Sequence, residues 1–181
     1  MLENTTIYPD PGYIVWMGIL KAIIILPGSV IVFIPASIIC ASLGTKWAPL
    51  YPPAALSLLV FSSLSLLLGF ALAIVTVRLF KIKGGGGTPA PWEPINNLII
   101  EGPYKHVRNP MLLGVYFILF GMAVFLSSWP IFIWLVVFFA GYNTYTVFKE
   151  EPELQERYGK SYLQYKEGVP RWIPRITPYQ G

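Results

Sequence analysis

The chain has 181 residues, 55% of them hydrophobic and only 12% charged, with a mean hydropathy of +0.58. Soluble domains carry about a quarter charged residues, so this composition excludes an ordinary soluble domain. The net charge of +4 is small and scattered, which excludes the basic stripe of a nucleic-acid-binding surface. A single cysteine, Cys40, rules out an intramolecular disulfide and a multi-cysteine metal centre, and no metal site is expected. Set in Ser37-Ile38-Ile39-Cys40-Ala41, its thiol is expected to be buried and inert.

Four apolar segments predict an all-α, polytopic membrane protein with about four transmembrane helices, organised as a single membrane-embedded domain. The first, residues 13–43, is interrupted by Lys21, Pro27 and Pro35. As one helix it would reach about 46 Å, well beyond a hydrocarbon core of about 30 Å, so the prolines predict a kink. Glu3 and Asp10 precede it without any Lys or Arg, and the apolar run exceeds a signal-peptide core, so it is expected to be retained as a span. Lys21 can snorkel to the interface. The second segment, 54–80, is uncharged until Arg78. The third and fourth, 111–126 and 130–148, are separated only by Ser127-Ser128-Trp129, which predicts a tight antiparallel hairpin.

Charge assigns the sides. Residues 78–110 carry Arg78, Lys81, Lys83, Lys105 and Arg108 against Glu93 and Glu101. The tail after Phe148 carries Lys149, Arg157, Lys160, Lys166, Arg171 and Arg175. Under the positive-inside rule both are cytosolic, and four spans then place the N-terminus there too. The run Gly84-Gly85-Gly86-Gly87-Thr88-Pro89-Ala90-Pro91 lacks a following Gly-Lys-Ser/Thr, so it reads as a hinge rather than a phosphate cradle. Trp92, Trp129 and Trp172 fall beside expected membrane boundaries, where aromatic belts form.

Chemistry concentrates in two stretches. Gly102-Pro103-Tyr104-Lys105-His106-Val107-Arg108-Asn109-Pro110-Met111-Leu112-Leu113-Gly114 leads into the third span. Glu150-Glu151-Pro152-Glu153-Leu154 and Tyr158-Gly159-Lys160-Ser161-Tyr162-Leu163-Gln164-Tyr165 follow the fourth. A hairpin brings its two ends together, which predicts Arg108 and Asn109 beside Glu150 and Glu151. Carboxylates at a membrane border are costly unless paired or used. Taken alone, the cluster reads equally as an interfacial ion pair that anchors the hairpin. Tyr158, Tyr162 and Tyr165 recur at helical spacing and are expected mostly to pack or to anchor at the interface.

These stretches resemble the signature of the isoprenylcysteine carboxyl methyltransferase and phospholipid methyltransferase family of integral membrane enzymes. The pattern is Gly-x-Tyr-x-x-x-Arg-His/Asn-Pro-x-x-x-Gly, a helical hairpin, then Glu-Glu-x-x-Leu and Gly-x-x-Tyr-x-x-Tyr, and the resemblance covers roughly residues 84–174. It implies S-adenosylmethionine as cofactor in a cytosol-facing pocket, and a lipid or lipidated small molecule as acceptor, arriving laterally from the bilayer. It further implies that Gly102, Tyr104, Arg108, Asn109, Pro110 and Gly114 line the pocket, that Glu150 and Glu151 close it, and that Asn97, Leu98 and Ile99 supply a backbone contact to the adenosyl group. Arg108, Asn109 and Glu151 are the residues this places nearest the chemistry. In this reading a glutamate pairs with the cofactor's ammonium, Arg108 pairs with its carboxylate or locks the glutamates, and Gly114 permits its close approach.

Two departures narrow the reading. Asn109 stands where many members have His, and an amide can hydrogen-bond but cannot act as a cation or base. The prenylcysteine enzymes carry an arginine about one turn before the glutamate pair, whereas this chain has Tyr145-Thr146-Val147-Phe148; a prenylcysteine carboxylate would lack its partner. His106, the sole histidine, lies in the motif's variable interior and is expected at the surface. Two rival readings are a sterol-reductase-like NADPH enzyme, whose Arg-His-x-Asn-Tyr pattern Arg108-Asn109-Pro110-Met111 does not match, and a non-catalytic membrane scaffold.

Overall fold

The structure is a computed structural model that describes residues 24–47, 55–85 and 96–180. The start of the first expected span with Lys21, most of the glycine-proline run, and Trp92 lie outside these residues. Among the described residues every regular element is helical. A π-helix, Ile24–Phe33, passes into α1, Ile34–Ser42, next to Pro35, so the first apolar run is irregular where the prolines predict it. Then come α2, Leu56–Lys83, a 3₁₀ turn, Gly102–Lys105, α3, Pro110–Phe125, and α4, Trp129–Tyr145. A π turn, Thr146–Glu150, connects α4 to α5, Glu151–Gly168.

Among the described residues two helical stretches, rather than four, are long and apolar enough to cross a bilayer: Leu56–Lys83 and Trp129–Gly168. Gly28–Ser42 and Pro110–Phe125 are apolar but shorter. α3, with 16 residues, reaches only about 24 Å. The second correction concerns the fourth segment, whose helix does not stop at Phe148 but continues through the π turn to Gly168.

The exterior is inverted relative to a soluble protein. On α2, Leu56, Phe61, Leu64, Leu67 and Phe70 point outward, while Ser62, Ser65, Gly69 and Thr76 are buried. Small residues let helix backbones approach, which matters where lipid removes the hydrophobic drive for association. A Cβ on Gly69 would fall 2.7 Å from the Gly114 carbonyl oxygen, one on Gly114 would fall 2.9 Å from that of Gly69, and one on Gly121 3.0 Å from that of Ser62. The Ser65 hydroxyl adds a 2.8 Å bond to the Phe117 carbonyl. The α2–α3 seam is therefore closely packed, and Ile118 and Leu119 are buried beside it. α4 folds back on α3 through Leu126-Ser127-Ser128, with Ser127 at φ 49°, giving the expected short hairpin link. The Trp134 indole donates to the Val30 carbonyl at 3.1 Å and ties α4 to the first helical segment. Cys40, expected to be buried, is exposed, because α1 sits at the periphery and packs on one side only.

Candidate active site

α2 and α4 end, and α3 begins, at one end of the bundle, and the polar residues gather there. The Arg108 backbone N–H donates to the Pro170 carbonyl at 2.9 Å and its Nε to the Val169 carbonyl at 2.9 Å. Its Nη1 donates to Glu151 Oε1 at 2.6 Å. Arg171 Nε donates to the same oxygen at 2.7 Å, and Lys166 Nζ to Oε2 at 2.9 Å. Glu151 is 3% exposed and holds three cations. Burial alone would raise its pKa. Hydrogen bonds from Arg171 and Lys166 and the charges of Arg108 and Arg171 outweigh that and hold the carboxyl at about 2.

Glu150 faces elsewhere. Adjacent helix residues do not share a face, and π turns of this kind recur at functional sites. Its Oε2 accepts the Thr146 hydroxyl at 2.9 Å, and Thr146 is buried. Among the described residues no Lys or Arg forms a salt bridge with it. Burial pushes its pKa up; the Thr146 bond partly opposes this, and the charges of Glu151 and Glu153 add to it. Its charge reaches the hydroxyls of Tyr104, Tyr116 and Tyr142. The structure thus brings Arg108 to Glu151, as expected, and forms no Arg108–Glu150 salt bridge among the described residues. Because Thr146 is packed and bonded to Glu150, an arginine at that position has no space.

Among the described residues two buried donors near this end have no partner, Asn109 Nδ2 and the Tyr116 hydroxyl; a third, the Ser128 hydroxyl, lies at the hairpin link. Tyr116 packs on Trp172, Phe138 and Phe139 with ring centroids 5.4, 5.9 and 5.2 Å away. Asn143 on α4 accepts the Trp172 indole N–H at 2.9 Å, pinning the tail against the bundle.

Other expected site residues have structural duties. The backbone N–H groups of Asn96 and Asn97 both donate to the Gly84 carbonyl, and the Asn97 side chain donates to the Lys83 carbonyl at 3.2 Å. These bonds satisfy the carbonyls at the end of α2. Leu98 and Ile100 pack on buried Tyr162, Tyr165 and Val169. The backbone groups of 98–100 find no hydrogen-bond partner among the described residues. Gly102, at φ +54°, starts the turn that carries Tyr104, whose carbonyl accepts the Tyr165 hydroxyl at 2.7 Å. Pro110 opens α3 and is buried. The close approach at Gly114 is made by α2 rather than left for a cofactor. His106 is half-buried and its Nδ1–H donates to the Arg175 carbonyl at 2.8 Å, so it fastens the tail.

Sequence reasoning missed Lys166, Arg171, Trp172, Asn143 and Tyr116 as members of this assembly. Lys166 and Arg171 lie 15 and 20 residues beyond Glu151, and no local spacing announces the pairing.

The family model for phospholipid methyltransferases matches residues 59–161, from the first turns of α2 through the glutamate pair into α5. The chain belongs to the phospholipid methyltransferase family. Comparison with curated proteins finds no match. Membership marks the chain as a methyltransferase-type, membrane-associated protein, in keeping with its two long apolar helices. Tyr162, Lys166, Arg171 and Trp172 lie beyond the matched range, so part of the cage around Glu151 belongs to a segment the family model does not cover.

Proposed function

We propose that the chain crosses the membrane four times and transfers a methyl group from S-adenosylmethionine to a lipid or lipid-linked acceptor at the cytosolic face. The observation that carries this reading is a pair of buried side-chain groups at one end of the bundle that find no partner among the described residues, Asn109 Nδ2 and the Tyr116 hydroxyl. Buried donors are rarely left unpaired, and a functional role is one reason that they are. Both lie in the family's matched segment, and as donors they suit acceptor groups such as a carboxylate or the ring nitrogens of an adenine. The backbone of Leu98 and Ile99 would meet the adenosyl group, with Gly102, Tyr104 and Pro110 forming the adjacent wall and Asn109 donating to a polar group of the cofactor. When bound, the cofactor supplies an electrophilic methyl on a sulfonium.

The chain's own residues position and exclude water. Arg108 is spent on Glu151 and two tail carbonyls, so it fixes the motif loop instead of meeting the cofactor's carboxylate. Glu151 gathers Arg108, Lys166 and Arg171 and closes the tail over the site; Trp172 seals it on the bilayer side. Such positioning can supply much of the acceleration in an in-line displacement. The cation-rich loop and tail support a cytosolic site, and the short α3 would span by local thinning and its tight seam with α2. Methyl transfer from radiolabelled S-adenosylmethionine to lipids of the host membrane, with purified protein in nanodiscs, tests the proposal. Label in the organic phase supports it, and no label above a protein-free control refutes it.

A further inference from the structure

Past α5 the chain runs without helix or strand from Val169 to Gln180, and its side chains are arranged inside out. Arg171 Nε donates to Glu151 at 2.7 Å. Arg175 turns inward too, its Nη1 donating to the Gly168 carbonyl at 2.6 Å and its Nη2 to the Thr177 hydroxyl at 3.3 Å. The Arg175 and Tyr179 backbone N–H groups donate to the His106 and Lys105 carbonyls, both at 3.0 Å, which pins the segment to the motif loop. Ile173 and Ile176, by contrast, are 79% and 96% exposed. A fixed segment facing water does the opposite, because arginine heads seek water and isoleucine avoids it. α2 shows the same inversion, with Leu64 and Leu67 outward and Ser62 and Thr76 inward.

Trp172 sets the level at which this segment lies. Its indole donates to Asn143 at 2.9 Å, and its ring stands 5.7 Å from Phe139, about one turn earlier on α4. Both residues belong to the apolar stretch Trp129–Gly168. Phe139 is itself partly exposed, and Val136 and Val137 beside it point outward. The tail therefore meets α4 on its apolar outer surface. It does so where Tyr142-Asn143-Thr144-Tyr145 takes over from the apolar run, and Trp and Tyr collect at that level of a bilayer.

We infer that residues 171–176 form an interfacial anchor: Ile173 and Ile176 enter the headgroup–acyl boundary of the leaflet at the polar end of the bundle, while Arg171 and Arg175 stay turned into the protein. The partner is the lipid of the surrounding bilayer. Single exposed apolar side chains are ordinary on a soluble surface. Two features set these apart: the neighbouring cations are bonded inward, and the adjacent tryptophan lies on the outer face of an apolar helix. Short apolar groups at this depth add to membrane binding in proportion to the area they bury. Arg171, two residues before Ile173, reaches Glu151 from the same segment, so lipid contact and closure of the Glu151 cage share one piece of backbone. The inference rests on α4 lying in the bilayer, and is independent of the group that the site transfers.

Spin-label accessibility tests it, on the full chain at one copy per nanodisc in a Cys40→Ala background. Labels are placed at Ile173→Cys and Ile176→Cys. Val137→Cys, exposed on α4, is the lipid reference, and Gln164→Cys, exposed on α5, is the aqueous one. Collisions are measured with oxygen, which partitions into lipid, and with a neutral nickel chelate, which stays in water. The oxygen-to-nickel ratio at 173 and at 176 should exceed that at 164 at least threefold. A smaller ratio at either position overturns the anchor, as does shielding from both reagents, which would mean that protein covers the isoleucines. A ratio at 137 no higher than that at 164 would take α4 out of the bilayer, and the membrane-spanning reading would fail together with the anchor. A high ratio at 137 with low ratios at 173 and 176 sinks the anchor alone. A second measurement needs no label: Ile173→Asn with Ile176→Asn should speed tryptic cleavage after Arg175 in nanodiscs at least tenfold over wild type, and an unchanged rate also overturns the inference.

Discussion

Arg108 Nη1 and Glu151 Oε1 stand 2.6 Å apart, joining residues 43 positions apart in the chain in a nearly water-free setting. The same carboxylate holds Arg171 and Lys166. Removing its charge leaves partly buried cations without a partner. Glu151→Gln should therefore destabilise the protein by about 3–5 kcal/mol, the range for breaking a buried ion pair. Thermal unfolding in detergent checks this. The pH dependence has a definite sign: the folded pKa, about 2, is below the ordinary 4.5. The stabilisation is thus full above pH 4.5 and is lost as pH falls from there through 2.

The neighbouring glutamate should behave oppositely. The folded pKa of Glu150 is raised by burial, so its charge opposes folding once pH exceeds the ordinary carboxylate value, and the penalty is complete above the folded pKa. Glu150→Gln should raise the unfolding temperature at pH 7–8, with the gain vanishing below pH 4, where both states are protonated. A lowered unfolding temperature at neutral pH would show that Glu150 is paired in the folded protein.

Helix existence and the Arg108–Glu151 encounter were legible because apolar length, charge placement and a three-residue link constrain them strongly. The division of labour within the glutamate pair was not. It depends on the π turn Thr146–Glu150 and on a tail that returns to the motif loop through Arg175 to His106 and Tyr179 to Lys105 backbone bonds. No sequence period encodes such a return. Gly114 misled for a related reason: a glycine signals close approach, and only the fold reveals that the approaching backbone is α2. Apolar composition likewise could not say that Cys40 faces outward, since a lipid-facing residue and a core residue read alike.

The α2–α3 seam gives a further test. A side chain at Gly114 must intrude on the Gly69 carbonyl at 2.9 Å, so Gly114→Val should cost at least about 1–3 kcal/mol by overpacking. Nothing lies within 4 Å of a Cβ at Gly141, and Gly141→Ala should be neutral or stabilising by roughly 0.5–1 kcal/mol through helix propensity. Comparing the two unfolding temperatures in one detergent separates packing from a general intolerance of glycine replacement.

Sidedness can be read with a relocated thiol. Gly85 is unsuited, because its φ is +68° and a Cβ would collide with the Asn97 amide. Gln164 on α5 is exposed. In a Cys40→Ala background, Gln164→Cys should resist membrane-impermeant maleimide in intact cells and react after permeabilisation. Labelling in intact cells would place the tail outside.

The central claim is that the unsatisfied groups at the polar end of the bundle hold a methyl donor. Calorimetric titration of the purified protein in nanodiscs with S-adenosylmethionine, and separately with NADPH, addresses it most directly. Saturable one-to-one binding of S-adenosylmethionine, weakened at least tenfold by Asn109→Leu, with no heat from NADPH, is the expected result. Saturable NADPH binding without S-adenosylmethionine binding would contradict the account.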